Sequence, residues 1–168
     1  MNYLKFTKDD MLNGRGVRLT LWVAGCNHEC SECHNPETWD PNAGKLFTTL
    51  EGDDILRELS KDYVSGLTLT GGDPLFPANR ITLTHICKVC KEKHPDKNIW
   101  CWTGYNYEQV KDLPIMEYID VLIDGTFRPD LYDPKLKWRG SSNQRVIDVQ
   151  ESRKLGKVVL DVDNGSYE

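Results

Sequence analysis

Three cysteines stand within eight residues, Cys26-Asn-His-Glu-Cys30-Ser-Glu-Cys33, at a C-x3-C-x2-C spacing. They follow the alternating run Val17-Arg-Leu-Thr-Leu-Trp-Val23 and the pair Ala24-Gly25. A strand that ends in a tight loop with three thiolates can hold one face of a metal cluster. The loop contains no fourth thiol. Structural zinc takes four closed ligands, whereas a catalytic metal keeps a position open. An iron–sulfur cube ordinarily takes four cysteines. Held by three, it leaves one iron free to bind another molecule. A zinc site completed by His28 or His34 uses the same spacing and stays open at this point.

Other groups suited to chemistry are Gly71-Gly72-Asp73-Pro74, Thr103-Gly104 and Asp124-Gly125, each directly after an apolar run. Taken singly they are weak signals: paired glycines mark turns, and an Asp at a strand end caps a turn. Cys87 and Cys90 form a Cys-x-x-Cys in a helical stretch, and Cys101 lies in an apolar run. Buried cysteine behaves as a small hydrophobe, so these three read as core or surface thiols. His85 and His94 read as helix-surface residues.

The elements that must position these residues follow from periodicity. Residues 17–23 alternate, placing Val17, Leu19, Leu21 and Val23 on one face of a strand. Residues 34–50 are irregular and polar. Asp53 or Asp54 is expected to cap a helix through Ile55, Leu56 and Leu59. Gly66–Thr70 reads as a strand, followed by a helix from about Ala78 to Lys93. Ile99–Trp102 is a third strand. A helical stretch over Glu108–Tyr118, interrupted at Pro114, leads to a fourth at Val121–Ile123. Val146–Val149 and Val158–Val162 are expected to be strands flanking a short helix near Glu151–Leu155. Strands alternating with helices predict βα units and a mainly parallel sheet. In such sheets ligands bind at the carboxyl ends of the strands. The cysteine loop, Gly71–Pro74, Thr103-Gly104 and Asp124-Gly125 all fall there.

Composition narrows the function classes. With 168 residues the chain reads as one domain, residues 1–168. A net charge of −5 gives no general footprint for nucleic acid or an anionic membrane. The first ten residues lack the apolar core of a signal peptide, and no run approaches the about 18 apolar residues of a membrane span. Six cysteines without a secretory signal point to a reducing, cytoplasmic setting, where close cysteines mean metal or redox chemistry more often than disulfides.

The cysteine spacing resembles the cluster loop of the radical S-adenosylmethionine enzymes. Asn13-Gly-Arg-Gly-Val-Arg18, Gly25-Cys26 and Cys33-His34-Asn35 narrow the resemblance to activating enzymes of glycyl-radical proteins. Gly71–Pro74, Trp102–Tyr105, Asp124–Phe127 and Arg139–Arg145 resemble the activators of anaerobic ribonucleoside-triphosphate reductases. The motif-bearing core spans about residues 12–149. The ordered set weighs against zinc, and the Arg139–Arg145 string weighs against an activator of the formate-lyase type.

The resemblance implies an α/β fold, a partial, open βα barrel of the radical S-adenosylmethionine type. It implies a 4Fe–4S cluster on Cys26, Cys30 and Cys33, with the fourth iron chelating S-adenosylmethionine. It implies cofactor contacts from Glu32, Cys33, His34, Gly71, Gly72, Asp73, Thr103, Gly104 and Asp124. Glu32 stands where many relatives carry an aromatic residue that packs on adenine, and a carboxylate cannot stack in that way. The implied partners are the glycyl-radical subunit of the reductase and a flavodoxin-like or other low-potential electron donor. The segment Thr126–Arg145 is long for a loop and basic on an acidic chain. It reads either as a solvated loop or as the surface that receives the glycine-bearing segment through Trp138, Arg139, Asn143 and Arg145.

Overall fold

Two-residue alternation in the apolar runs sorts the side chains onto two unlike faces of one sheet. A computed structural model describes residues Met1–Glu168. Its strands are β1 (Asn2–Asp10), β2 (Val17–Val23), β3 (Lys45–Leu46), β4 (Val64–Gly71), β5 (Asn98–Trp102), β6 (Val121–Asp124) and β7 (Arg145–Asp148). The α-helices are α1 (Thr49–Leu59), α2 (Arg80–Lys93), α3 (Tyr107–Val110) and α4 (Val149–Leu155). The spatial order is β3-β1-β2-β4-β5-β6-β7.

This architecture corrects the expected partial barrel with a mainly parallel sheet. The sheet is open, with β3 at one edge and β7 at the other. β2-β4, β4-β5 and β5-β6 pair in parallel, while β1-β2, β1-β3 and β6-β7 pair antiparallel. Barrel closure needs continued parallel βα units. Here the run of crossovers stops at β6, because the long segment after it returns as an antiparallel neighbour rather than as a crossover helix. At the other side, the first ten residues form β1, which has few apolar residues and therefore left little periodicity to read. The mixed sheet is closed off by these antiparallel flanks.

Smaller corrections have local causes. α1 begins at Thr49, not after Asp53: Thr48, five residues before Asp53, forms a reciprocal capping box with Glu51. Val158–Val162 is not a strand; Leu160 makes a single antiparallel bridge to Ile147. The interruption at Pro114 divides a short α3 from a 3-10 turn at Pro114–Glu117.

On one face Leu19, Leu21, Leu67, Leu69, Ile99, Cys101 and Leu122 meet Ile55 and Leu59 of α1 and Leu83, Ile86, Cys87 and Cys90 of α2 in the main core. The opposite face carries the alternate residues, a mixture of aromatic, aliphatic and polar side chains. Trp100, Val121, Ile123 and Val146 form a small cluster there, with Trp102 and Trp138 against it. Arg18, Thr20 and Thr68 are buried beside them. Arg18 donates to Thr68 Oγ1 at 2.6 Å, Asn98 Oδ1 at 2.8 Å and Leu67 O at 2.9 Å. Burial pushes its pKa down to about 9, which leaves it cationic at neutral pH, 5.3 Å from the Trp100 ring centre. No helix is long and apolar enough to cross a membrane.

Candidate functional site

The polar face opens into a cleft of about 430 Å³ at the carboxyl ends of β2, β4, β5 and β6. Cys26, Cys30 and Cys33 line it together with His28, His34, Gly71, Gly72, Asp73, Thr103 and Gly104. Trp138 and Arg139 border it from the long segment after β6. Parallel pairing of Val23 with Gly71 makes the cysteine loop and the Gly-Gly-Asp-Pro loop leave the sheet side by side.

Backbone convergence explains the glycines at that junction. Gly25 N donates to Thr38 O at 2.7 Å, Asp73 N to Gly25 O at 2.8 Å, and Gly72 N to Val23 O at 2.8 Å. A Cβ on Gly72 would lie 2.6 Å from Gly25 O, and Gly71 has φ +105. The cysteine loop itself turns through left-handed residues at Gly25, Glu29 and Glu32.

Asp73 ties three strand ends together. Its buried carboxylate accepts from Thr103 Oγ1 at 2.9 and 3.0 Å, Gly104 N at 3.0 Å and Leu75 N at 2.8 Å. His28 Nε2 lies 2.6 Å from Asp73 Oδ2, so the imidazole of the cysteine loop donates to the same group. That ring covers Gly104, where a Cβ would come within 2.5 Å of it, and it meets Tyr105 edge to face. Asp73 therefore acts inward, holding the loop to β5, with its oxygens already supplied with donors.

The three thiols are free and half-buried. Cys33 Sγ accepts from Asn35 N and from Trp39 Nε1, both at 3.4 Å. Burial pushes the Cys26 thiol up to about 11, against a hydrogen bond from the His28 backbone. Burial also raises Cys30. Cys26 and Cys30 are therefore protonated at neutral pH until a metal displaces the protons. No group of three His, Cys, Asp or Glu side chains converges on a single-ion position. Three cysteines line the cleft and no fourth does, a donor set that leaves one iron of a cube open.

Not every expected site residue meets in the cleft. Glu32 is exposed outside it, and Asp124, Asn143 and Arg145 do not line it. Asp124 is buried and accepts from Tyr107 N at 2.8 Å, Arg145 N at 3.2 Å and Arg145 Nε at 3.1 Å. Arg145 also reaches Glu108 at 2.9 Å. The Asp124 hydrogen bond, then Glu108, raises the Arg145 pKa; together they clamp β6 to β7 and α3. Asn143 Nδ2 donates to Thr126 O at 2.8 Å and braces the loop.

Trp138 has φ 61. Its carbonyl accepts from Trp102 Nε1 at 2.8 Å, and its own Nε1 donates to Asp163 Oδ2 at 3.0 Å. Arg139 Nη1 donates to Gly165 O at 3.1 Å, while its Nε is buried without a partner. Cys87, Cys90 and Cys101 are buried in the core on the helix side.

Several lining residues escaped sequence reasoning: Leu12, Trp39, Leu136 and Tyr167. Trp39 carried a usable signal, a lone tryptophan in a polar stretch six residues after Cys33. Tyr167 carried none, since it reaches the cleft only through tertiary pairing.

Comparison with known proteins adds the following. A family model described as a 4Fe-4S single cluster domain matches residues 12–147. The anaerobic ribonucleoside-triphosphate reductase-activating protein of Enterobacteria phage T4 is 46% identical over 146 residues, covering 87% of this chain and 93% of the relative. The protein of the same name from Haemophilus influenzae is 45% identical over 148 residues, 86% of this chain and 96% of the relative. That from Escherichia coli K12 is 42% identical over 150 residues, 87% and 97%.

Proposed function

The chain belongs to the family of anaerobic ribonucleoside-triphosphate reductase-activating proteins, with a 4Fe–4S single cluster domain, and from that premise we propose that it is a radical S-adenosylmethionine enzyme that installs a glycyl radical in such a reductase. The observation that carries the reading is the cleft wall. Three half-buried thiols share it with a bare Gly71-Gly72 backbone, and the remaining cysteines are sealed in the core. Cys26, Cys30 and Cys33 would hold a 4Fe–4S cluster, which, charged by a flavodoxin-like donor, would supply one-electron reductive cleavage of S-adenosylmethionine and with it the removal of a hydrogen atom from a reductase glycine.

The chain's own residues bind, orient and exclude water. Cys26, Cys30 and Cys33 are the ligands, each losing a proton on loading. Gly71 and Gly72 carry no side chains at the cleft floor, so their backbone groups would be open to the amino-acid end of S-adenosylmethionine. Asp73, His28 and Thr103 hold that floor against the cysteine loop. His34 and Phe127, edge to face at 5.6 Å, and Trp39 and Trp102 make the walls apolar and displace water. Glu32 lies outside these walls, so we assign adenine packing to them instead.

Anaerobic reconstitution with iron and sulfide, then dithionite and S-adenosylmethionine, should release 5′-deoxyadenosine. Adding a reductase should produce a glycyl doublet in electron paramagnetic resonance. Alanine at Cys26, Cys30 or Cys33 should abolish bound iron, while alanine at Cys87 or Cys101 should leave it in place. A loaded protein that releases no 5′-deoxyadenosine rules the reading out.

A further inference from the structure

Trp138 and Arg139, expected to receive the partner, are covered in this structure by the chain's own residues 161–167. Arg15 Nη1 reaches Asp161 and Asp163 at 2.5 and 2.8 Å, and Asp163 takes the Trp138 indole N–H. Beyond that anchor the chain runs antiparallel to Lys135–Lys137. Lys137 N donates to Gly165 O at 3.0 Å, Tyr167 N donates to Lys135 O at 2.6 Å, and Leu136 bridges Ser166. Arg139 adds a second donor to Gly165 O. Leu136, Arg139 and Tyr167 all border the cleft that holds the three thiols.

Past the side-chain anchor of Asp161 and Asp163, Gly165–Tyr167 pairs through its backbone, with the Tyr167 ring edge to face on Trp138 at 6.4 Å. Ser166 and Tyr167 are exposed, and a Cβ on Gly165 would meet nothing within 4 Å. A segment with few buried apolar contacts belongs to the least stable part of a fold. The family match ends at residue 147, before this segment. An edge that takes an extended chain by backbone hydrogen bonds, with little demand on its side chains, is the geometry of strand addition.

Building on the proposed function, we propose that Lys135–Lys137 is the docking edge for the extended glycine-bearing segment of the reductase, and that Gly165–Tyr167 is its resident occupant, displaced on docking. Pairing at this edge lays a strand along the cleft mouth. Arg139 grips a carbonyl of whichever strand is present, its own or the partner's. Only the fraction of molecules with the segment released can bind, and apparent affinity falls by that fraction.

The test uses the full chain and a synthetic peptide spanning the reductase glycine, with binding read by fluorescence anisotropy. Tyr167→Pro deletes the N–H that bonds Lys135 O. It should tighten peptide binding about three- to fivefold, and a chain ending at Asn164 should tighten it further, about tenfold. In hydrogen exchange, the Lys137 amide should lose protection in both variants and regain it with peptide. Equal or weaker binding by the variants, or no binding by any form, overturns the docking edge. If the wild type nevertheless gives a glycyl doublet with intact reductase, the proposed function survives that loss; if no form gives one, the function falls too.

Discussion

Cys33 differs from the other two thiols in having a side-chain donor. Cys26 and Cys30 receive backbone groups, from His28 and Phe127, whereas Cys33 Sγ takes the Trp39 indole N–H as well as an amide. Donors to cluster sulfurs stabilise the more negative, reduced state and raise the potential. Trp39→Phe keeps an aromatic ring and removes the donor. We expect unchanged iron content and a more negative potential in a spectroelectrochemical titration. A tenfold drop in the reduced-to-oxidised ratio corresponds to about 59 mV for one electron, and the shift should be of that order or smaller. An unmoved potential would remove Trp39 from any tuning role. At this scale the thiols were legible because their spacing is local. The work of Asp73 was not, because His28 and Thr103 lie 45 and 30 positions away in sequence.

Among elements, the junction of the cysteine loop with β4 and β5 is set by close approach. Gly104→Ala would drive a Cβ into the His28 ring and separate His28 from Asp73. Overpacking of this kind costs about 1–3 kcal/mol. We expect a lower Tm together with weaker retention of cluster iron. Thr48→Ala, at the N-cap of α1 on the remote face, should cost about 1 kcal/mol and leave iron binding alone. The pair of variants separates damage to the loop from general loss of stability. The parallel strands β2, β4, β5 and β6 could be read from their apolar runs. β1 and the pairing direction of β7 could not, because partner choice across a sheet leaves no mark on a single run's periodicity. That is how an expected barrel became an open mixed sheet.

Across the whole molecule, opposite charge joins the terminal segment to the core. Burial pushes the Asp163 carboxyl up, but hydrogen bonds from Arg15 and Trp138 outweigh it and hold the group below its usual range. A depressed carboxylate stabilises the folded arrangement above its unfolded pKa, about 3.9, and loses that contribution as pH falls through the folded value. Seating of residues 161–167 should therefore be constant through neutral pH and weaken only below about pH 4. Amide exchange at Lys137 across that range checks this; release between pH 6 and 8 would contradict it.

All of the main core lies on the helix side of the sheet, and the thiols lie on the other side, half-exposed. On that side Trp138, Arg139 and Tyr167 border the cleft but leave the thiols half-exposed. Under the proposed function, the rest of the lid must arrive with the reductase. Timing then becomes the safeguard: an electron delivered before the complex forms has no glycine to act on, and dioxygen has an open path to the iron. Such a protein works as one half of an enclosure, and its handling outside the complex calls for strict exclusion of air.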